Sequence, residues 1–568
     1  MSTENKNLLL ATIACVLIFV GFHFFYDKPR LEQLQQQQEA TSQPTESTIP
    51  EVSAAPVTVA VPLTNEQALK AAPRIGIKTP LLRGSLSLKG ARIDDLILTK
   101  YHETTNSDSP DVMLLSPSGT EHPYYLESGW VLNASGIQFP DSQTVWTPSQ
   151  ALLTPETPVT LSWTNGQGVT FEKIVSVDDK YMFTVKERII NNSATSFVAS
   201  PYGLISRKNP EISSTSYALH EGAVGYLDNK LQEIKYKTLD DDKKETYTNT
   251  KGWLGITDKY WLTALIPDQA QNVTAAFRAV DAQGEPRYQA DFLSTSLIVP
   301  AKSSAESSFR FFAGAKAVEL LDAYEKDLSI PHFDLAVDFG WFYFITKPLF
   351  FVLEWLHDFL GNFGLAIIAL TIMIRTLLFP LANKSFKSMA KMRSLQPELT
   401  RMKEQCGDDK VKFNQEMMAF YKKNKVNPVS GCLPMVLQIP VLFAIYKVLL
   451  ISIEMRHAPF YGWIHDLSAP DPTTLFNLFG LIPWTPPSFL MIGALPILMG
   501  GTMFLQQKMS PQSLDPIQAK MFLIMPILFT YMLGQFPAGV VLYWTCTNLL
   551  AILQQWGMTK LSDRQIAK

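Results

Sequence analysis

The stretch LGNFGLAIIALTIMIRTLLFP, residues 360–380, decides the fold class of this 568-residue chain. It is almost wholly apolar and long enough to cross a bilayer, which takes about 20 residues of helix. Its one charge is Arg375. A charged side chain at the centre of a membrane helix costs about 2.5–3.5 kcal/mol on the insertion scale. We therefore expect a membrane protein in which Arg375 meets water, in a groove open to the cytoplasm.

The composition divides the chain into two parts. Residues 27–338 have the pattern of a soluble domain, and residues 339–557 are dominated by long apolar runs. The net charge is −3, which does not favour a nucleic-acid partner. No Cys or His spacing is typical of a metal site, so we expect no metal and no cofactor. The cysteines all lie outside the soluble part, at Cys15, Cys406, Cys432 and Cys546.

Residues 1–26 are predicted to form a retained transmembrane anchor. Their apolar run, 8–25, ends in bulky aromatic residues instead of the small residues of a signal-peptide cleavage site. Aromatic side chains are typical of the membrane interface. A cleaved signal peptide is the alternative. Residues 27–62 follow as a flexible linker rich in Gln, Pro, Ser and Thr.

Residues 63–330 are predicted to form a large β-rich domain. Period-two alternation, as in 170–177 and 183–190, is typical of strands, and Gly, Pro, Asn and Asp separate them. Many strands without alternating helices favour an antiparallel sandwich, closed by an amphipathic helix at 317–328. The acidic run 240–242 is predicted to be a solvated loop. Catalytic motifs are missing, while carbohydrate or peptide binding stays open.

Residues 331–359 are predicted to form an interfacial amphipathic helix. The segment is rich in aromatic residues from Phe339 onward, but charged residues and Pro348 interrupt it. This composition suits a helix lying in the membrane surface better than a span. A core helix of the soluble domain is the alternative.

Residues 360–557 are predicted to hold five further spans. Between the first two lies a hydrophilic segment, 384–425, with eleven Lys and Arg against five acidic residues. The positive-inside rule assigns it to the cytoplasm, and its composition favours a helical hairpin. The result is a polytopic α-helical protein with six spans, both termini cytoplasmic, a short cytoplasmic tail at 558–568 and the large domain outside. The five spans are predicted at 360–381, 430–453, 489–506, 521–536 and 539–556.

Polar residues in these spans mark one face of the predicted helices. Thr371 and Arg375 are four residues apart and therefore share a side. Polar groups inside a membrane usually face the protein interior or a cavity. The alternative is that these polar groups form hydrogen bonds between neighbouring helices, while the Arg375 side chain snorkels, so that its guanidinium lies at the membrane interface. The other polar or aromatic positions that we single out are Gln438, Tyr543, Trp544 and Asn548.

The basic residues of the hairpin are predicted to contact anionic lipid headgroups, the ribosome or a targeting factor. The alternative is that they only determine topology. The residues concerned are Lys384, Lys387, Lys391, Arg393, Lys422 and Lys423.

Nearly the whole chain resembles the YidC family of membrane protein insertases, of the Gram-negative type. The motifs that carry the resemblance are 375–381 (RTLLFPL), 389–392 (MAKM), 415–418 (QEMM), 425–428 (KVNP), 431–434 (GCLP), 463–467 (WIHDL) and 541–544 (VLYW).

The resemblance implies a periplasmic β-supersandwich of the galactose-mutarotase type and a five-helix insertase core. The core would contain a hydrophilic groove closed toward the periplasm and open to the cytoplasm and lipid. The resemblance places Arg375, Thr371, Tyr543 and Trp544 in this client-binding groove, to which we add Gln438 and Asn548 from their polarity. Trp544 stands where some relatives have tyrosine.

The expected function is that of an insertase and chaperone, not an enzyme, for newly made proteins of the bacterial inner membrane. The implied partners are nascent clients, the Sec translocon, the ribosome with the signal recognition particle system, and anionic lipids; no small-molecule substrate is expected. A small-solute transporter or channel is the alternative, although internal repeats and paired acids in the spans are missing. An anchored envelope sugar enzyme is a third hypothesis, and it requires the β-rich domain for activity.

Overall fold

A computed structural model of the chain describes residues 62–566, apart from 107, 133–135, 212–218, 283–284, 408, 425–432, 485, 488–490 and 510–515. The described residues all belong to one unit, Ala54–Lys568. The predicted anchor, 1–26, and nearly all of the predicted linker, 27–62, lie outside them.

Strands occupy the described chain from Arg74 to Ala315. In chain order they are β1 (Arg74–Lys78), β2 (Leu82–Ser87), β3 (Arg92–His102), β4 (Asp111–Leu115), β5 (Tyr124–Leu132), β6 (Thr147–Pro148), β7 (Leu152–Leu153), β8 (Val159–Thr164), β9 (Val169–Val177), β10 (Met182–Asn191), β11 (Phe197–Lys208), β12 (Gly222–Leu227), β13 (Lys230–Lys235), β14 (Lys244–Thr250), β15 (Trp253–Thr257), β16 (Trp261–Pro267), β17 (Val273–Ala282), β18 (Glu285–Ser294), β19 (Leu297–Val299) and β20 (Ser303–Ala315).

These strands form two large sheets. In the first, the order is β14-β17-β18-β11-β5-β3-β2-β1-β7, with β19 beside β11 and β4 beside β3. In the second, it is β13-β12-β15-β16-β20-β10-β9-β8-β6. The pairings are antiparallel except for that of β1 with β7. Aromatic side chains join the sheets: the rings of Trp130 on β5 and Phe171 on β9 lie 5.2 Å apart.

The period-two alternation predicted these strands correctly. Along β9, every second residue is buried, and β9 pairs with β10 as neighbouring antiparallel strands. Alternating burial is what a sheet with one face on a core requires. The predicted antiparallel β-rich domain is therefore confirmed at the level of its strands and sheets.

The helices of this part are α1 (Asn65–Lys70), α2 (Tyr236–Asp242) and α3 (Val318–Asp327). Helix α3 confirms the amphipathic helix predicted at 317–328. Asp241 and Asp242 are exposed, so the acidic run 240–242 is solvated as predicted, but the predicted loop is wrong, because these residues end α2. The helix forms since Tyr236 and Leu239, three residues apart, are both buried, and the Asp240 carboxylate accepts a hydrogen bond of 3.0 Å from the Tyr288 hydroxyl.

The remaining chain is helical, with irregular connections. Its helices are α4 (Tyr343–Leu360), α5 (Phe363–Leu377), α6 (Phe379–Cys406), α7 (Lys410–Lys423), α8 (Leu433–Ile451), α9 (Ala494–Met509), α10 (Pro516–Leu533) and α11 (Ala538–Ile566), and short 3-10 helices lie at Phe333–Ala336 and Leu475–Gly480. Among the residues that the structure describes, no helix combines the length and the apolar character needed to cross a membrane.

Several helix bounds differ from the predicted ones: the helix predicted at 331–359 begins only at Tyr343, and the spans predicted at 489–506 and 521–536 are Ala494–Met509 and Pro516–Leu533. Two further differences have a local cause. The apolar run 360–381 is divided at Leu378 between α5 and α6. Pro380 lies in the first turn of α6, where its missing N–H costs nothing, so it favours the start of a new helix. Helix α11 continues to Ile566, through most of the predicted tail 558–568, because no proline interrupts it.

Ion pairs connect the helices to the β-rich part. The Lys347 ammonium group on α4 lies 2.9 Å from the Asp322 carboxylate on α3 and 2.6 Å from that of Asp334. Lys447 on α8 makes a similar ion pair, with its ammonium group 2.7 Å from the Asp338 carboxylate. Gly340, with φ of 70°, lies beside the Lys447 side chain, and a Cβ atom there would be only 3.1 Å from the Lys447 Cε atom. The missing side chain therefore lets Lys447 pass.

Candidate functional site

Residues 543–548 of α11 contact four other helices within about one and a half turns. Each contact uses a different residue. Tyr543 contacts α8, Trp544 contacts α10, Thr547 contacts α5 and Asn548 contacts α9. We refer to residues 543–548 as the contact segment.

Arg375 lies in the last turn of α5 and is partly buried. Its Nη2 donates a hydrogen bond of 3.1 Å to the carbonyl oxygen of Thr547. Its Nε is buried and has no hydrogen-bond partner within the described chain. None of the described carboxylates forms an ion pair with this guanidinium, although buried cations are normally paired. Arg375 is therefore a cation with donor capacity left over.

Gln438 and Tyr543 lie in the same group of polar contacts. The Gln438 side-chain amide donates to the Tyr543 hydroxyl at 3.1 Å, which joins α8 to α11. Tyr543 is only 2% exposed, so its hydroxyl needs such a partner. Because Tyr543 and Thr547 are one turn apart on α11, the contacts of Gln438 and Arg375 follow the same side of that helix. We call Arg375, Gln438, Tyr543 and Thr547 the polar cluster.

The other predicted residues have different partners. Thr371 is buried and donates to the Ile367 carbonyl oxygen of its own helix at 2.6 Å. The Trp544 ring stacks on that of Phe529, with 5.7 Å between centroids. The structure thus brings Arg375, Gln438 and Tyr543 together, while Thr371 satisfies its hydroxyl locally and Trp544 faces α10.

Asn548 contacts a residue that sequence reasoning missed. Its side-chain amide donates to the Thr502 hydroxyl of α9 at 3.3 Å, and both residues are buried. Thr502 directly follows Gly500 and Gly501. A run of small residues is typical of closely packed membrane helices, so this run was the available signal for Thr502.

Of the predicted hairpin contacts, three have described side chains. The Lys391 ammonium group donates to the carbonyl oxygen of Asn424 at 2.8 Å and so joins α6 to the end of α7. Lys422 and Lys423 are exposed in the last turn of α7, where positive charge complements the helix dipole. The side chains of Lys384, Lys387 and Arg393 lie outside the described residues.

Gly500→Ala is expected to lower the free energy of unfolding of the helical part by about 1–3 kcal/mol, the usual cost of overpacking. A Cβ atom at Gly500 would lie 2.0 Å from the Thr530 hydroxyl oxygen, so the Thr530 side chain must turn away from its present position or α9 and α10 must move apart. The neighbouring Gly501 is a matched control, since its Cβ would meet nothing within 4 Å. Thermal unfolding of the two detergent-solubilised variants checks this, and equal melting temperatures would contradict the described packing.

Two family models together cover most of the chain. Residues 74–352 match the model described as the YidC periplasmic domain, and residues 355–565 match the one described as 60Kd inner membrane protein. The membrane protein insertase YidC of Rickettsia bellii (strain OSU 85-389) is 48% identical over 565 residues, which are 99% of this chain and 100% of that protein. The chain belongs to the YidC family of membrane protein insertases.

The chain is also similar to a second curated relative and to a solved structure. The membrane protein insertase YidC of Rickettsia felis (strain ATCC VR-1525 / URRWXCal2) is 48% identical over 563 residues, which are 99% of this chain and 100% of that protein. A solved structure described as an active YidC insertase with the first transmembrane domain resolved is 17% identical, with a TM-score of 0.35, and the match covers 84% of this chain and 91% of that chain.

YidC family membership confirms the predicted resemblance and the predicted insertase function. It favours this function over the two alternatives, a transporter and a sugar enzyme. It also confirms the bacterial inner membrane as the location and a periplasmic β-rich domain.

Proposed function

We propose that the chain receives the polar segment of a newly made membrane protein at the polar cluster, in a hydrophilic groove open to the cytoplasm and to lipid. The observation that carries this proposal is the environment of Arg375. Its guanidinium is bound by a main-chain carbonyl and has no described carboxylate partner, while one of its buried N–H groups is unbonded. A cation in this state attracts carboxylates and carbonyl groups of an incoming chain, because charge-assisted hydrogen bonds are the strong ones.

The energy for insertion would come from the client and the membrane. Burial of the client's apolar segment in lipid is favourable. The membrane potential adds about 2.3 kcal/mol per charge per 100 mV for acidic segments that move outward. Neither contribution needs a nucleotide, so the chain acts as a catalyst of transfer by lowering the barrier for the polar segment. Thr371, Trp544 and Asn548 would complete the groove.

The proposed topology has six spans with both termini in the cytoplasm. The domains are the anchor 1–26, the linker 27–62, the periplasmic supersandwich 63–330, the interfacial segment 331–359 and the core 360–557 with its cytoplasmic hairpin at 384–425 and tail from 558. Helix α5, with 15 residues, rises only about 22 Å. The hydrocarbon core of a bilayer is about 30 Å thick. A helix as short as α5 therefore favours local thinning of the bilayer, which lowers the free-energy barrier for moving a polar segment across it.

Through α4, the interfacial segment would lie on the periplasmic surface of the inner membrane. Trp355 and Phe359 are 63% and 77% exposed, and large aromatic side chains in this state suit the headgroup region. The exposed lysines at the end of α7 would contact anionic lipids, the ribosome or the signal recognition particle system. We propose that the chain works alone or beside the Sec translocon.

A photo-crosslinking residue at Gln438 is expected to form an adduct with a ribosome-stalled client, because Gln438 belongs to the polar cluster. The same residue at Ile439, which follows it in α8 and is 45% exposed, is the matched control and should yield little adduct to the client's polar segment. Gel analysis of immunoprecipitated adducts measures both.

Depletion of the protein should also block insertion of one- and two-span clients in protease mapping. Unchanged insertion of all such clients would refute the proposed function.

A further inference from the structure

The connection between α8 and α9 contains a loop whose base is held by one buried carboxylate. Asp471 is 4% exposed. Its Oδ1 accepts hydrogen bonds from the backbone N–H of Thr473, at 2.9 Å, and from the Thr473 hydroxyl, at 2.6 Å. Its Oδ2 accepts one from the backbone N–H of Leu495, at 2.8 Å. The two ends of the loop are therefore joined through Asp471.

Two further contacts close the same base. The Thr473 hydroxyl oxygen accepts a hydrogen bond of 2.9 Å from the backbone N–H of Ala494. Gly493 passes so close to Asp471 that a Cβ atom there would lie 2.4 Å from the carboxylate carbon. The base leaves no room for a side chain, and it fixes the direction in which the loop leaves the protein.

The tip of the loop, residues 474–484, presents apolar side chains to the outside. Leu481 is 83% exposed, and the whole stretch 472–507 contains no Asp, Glu, Lys or Arg. Exposed apolar clusters of this kind mark interaction sites. The large exposed side chains of the tip are Leu475, Phe476, Leu478, Phe479, Leu481, Ile482 and Trp484.

The backbone of the tip is held in an unusual conformation. Leu478 and Phe479 have φ angles of 51° and 58°, in the left-handed region that large side chains rarely adopt. Residues in this region are strained and are concentrated at functional sites. Here they turn two bulky side chains outward, each about half exposed. An outside partner that buries these side chains would offset the strain.

The position of the loop indicates what this partner is. The segment that leads to the base packs on the junction of α4 and α5, where the Asn362 side-chain amide donates to the Pro459 carbonyl oxygen at 3.1 Å and Gly364 touches the Phe460 ring. This junction directly follows the exposed aromatic residues Trp355 and Phe359 of α4. The loop therefore starts beside a surface that already suits the membrane interface.

We propose that residues 474–484 insert into the outer leaflet of the bilayer as a second anchor beside α4. The inference rests on the proposed topology, which puts this loop on the periplasmic side. A lipid occupant fits better than a protein because the tip offers no charge for a specific partner, and its Trp, Phe and Leu side chains are those that enter the interface. The closed base would hold the tip at a fixed depth.

The test uses the full chain in phosphatidylcholine vesicles, with the native cysteines replaced by serine. An environment-sensitive fluorophore is attached at Leu481→Cys, or at Gln143→Cys in an exposed turn of the β-rich part as the matched control. Vesicles with brominated acyl chains should quench about half of the fluorescence at position 481, as expected for a side chain in the interface, and none at 143. The emission at 481 should also shift to the blue.

A second variant keeps the proposal testable if the label itself perturbs the loop. Leu481→Asp with the fluorophore at Leu475→Cys should lose the quenching, because a carboxylate resists entry into lipid. Water-like emission without quenching at 481 would overturn the inference, as would quenching that appears only after a client or another protein is added. Loss of the client adduct from Gln438 with lipid quenching intact would refute the proposed function and leave this anchor standing.

Discussion

Arg375→Ala is expected to reduce the insertion of clients with acidic tails about tenfold, the effect of losing one charge-assisted hydrogen bond. The reason is that Arg375 has no described carboxylate partner and therefore keeps its charge available for the client. Arg375→Lys keeps the charge and should retain most of the activity. Protease protection of a small acidic-tailed client in proteoliposomes measures both variants, with a client whose tail is neutral as the control.

The comparison of the two variants separates charge from geometry. Lysine cannot reproduce the planar donor fork of arginine, so an equal loss in both would assign the effect to the hydrogen bond with Thr547 and to the shape of the polar cluster. Normal insertion in both would contradict the role that we propose for Arg375. Alanine leaves only the Thr547 carbonyl without this donor. We therefore expect both variants to accumulate normally.

Lys173→Met is expected to lower the free energy of unfolding of the β-rich domain by about 3–5 kcal/mol, the usual cost of breaking a buried ion pair. The Lys173 ammonium group lies 3.8 Å from the Glu187 carboxylate and donates to the Ser128 hydroxyl at 3.1 Å. The rings of Trp130 and Trp146 lie 5.6 and 5.3 Å from it. Methionine fills similar space but leaves Glu187 buried without its cation. Unfolding followed by tryptophan fluorescence at pH 8 measures the loss.

The control for this variant is Lys180→Met, at an exposed lysine, which should change stability by less than about 0.5 kcal/mol. Equal effects of the two substitutions would contradict the role of burial. A smaller loss for Lys173→Met at pH 5.5 than at pH 8 is also expected, because protonation removes the unpaired charge.

The pH dependence follows from the pKa of Glu187. Burial raises this pKa to about 7, so the folded domain holds a proton that the unfolded chain releases above its ordinary pKa of 4.5. The contribution of this carboxyl to the free energy of unfolding therefore falls as the pH rises from 4.5 to about 7. Glu187→Gln should remove that slope, and an unchanged slope would show that the pKa of Glu187 is not raised.

The sequence predicted local structure better than long-range contacts. Alternation predicted β9 and β10 because burial of one sheet face repeats every second residue. Polarity singled out Arg375, Gln438 and Tyr543, since polar residues in apolar runs are rare. It could not predict that Arg375 is bound by a backbone carbonyl 172 residues away, or that Lys447 pairs with Asp338, because helical spacing carries no information about neighbouring helices.

Two differences between the predicted and the observed secondary structure follow from single residues that the average composition of a segment does not reveal. Hydropathy alone joined 360–381 into one element, although Pro380 favours a new helix start after Leu378. The acidic run 240–242 was read by its charge, whereas the buried Tyr236 and Leu239 decided its structure. In both places one local constraint outweighed the average character of the stretch.

Helix α11 has a mechanical consequence. It runs from Ala538 to Ile566 without a proline and is about 43 Å long, with 29 residues. A continuous helix transmits torque, so a turn applied beyond residue 557 also turns the contact segment, 543–548. Because this segment contacts α5, α8, α9 and α10, a rotation of α11 by a partner bound at its far end would change its contacts with all four helices.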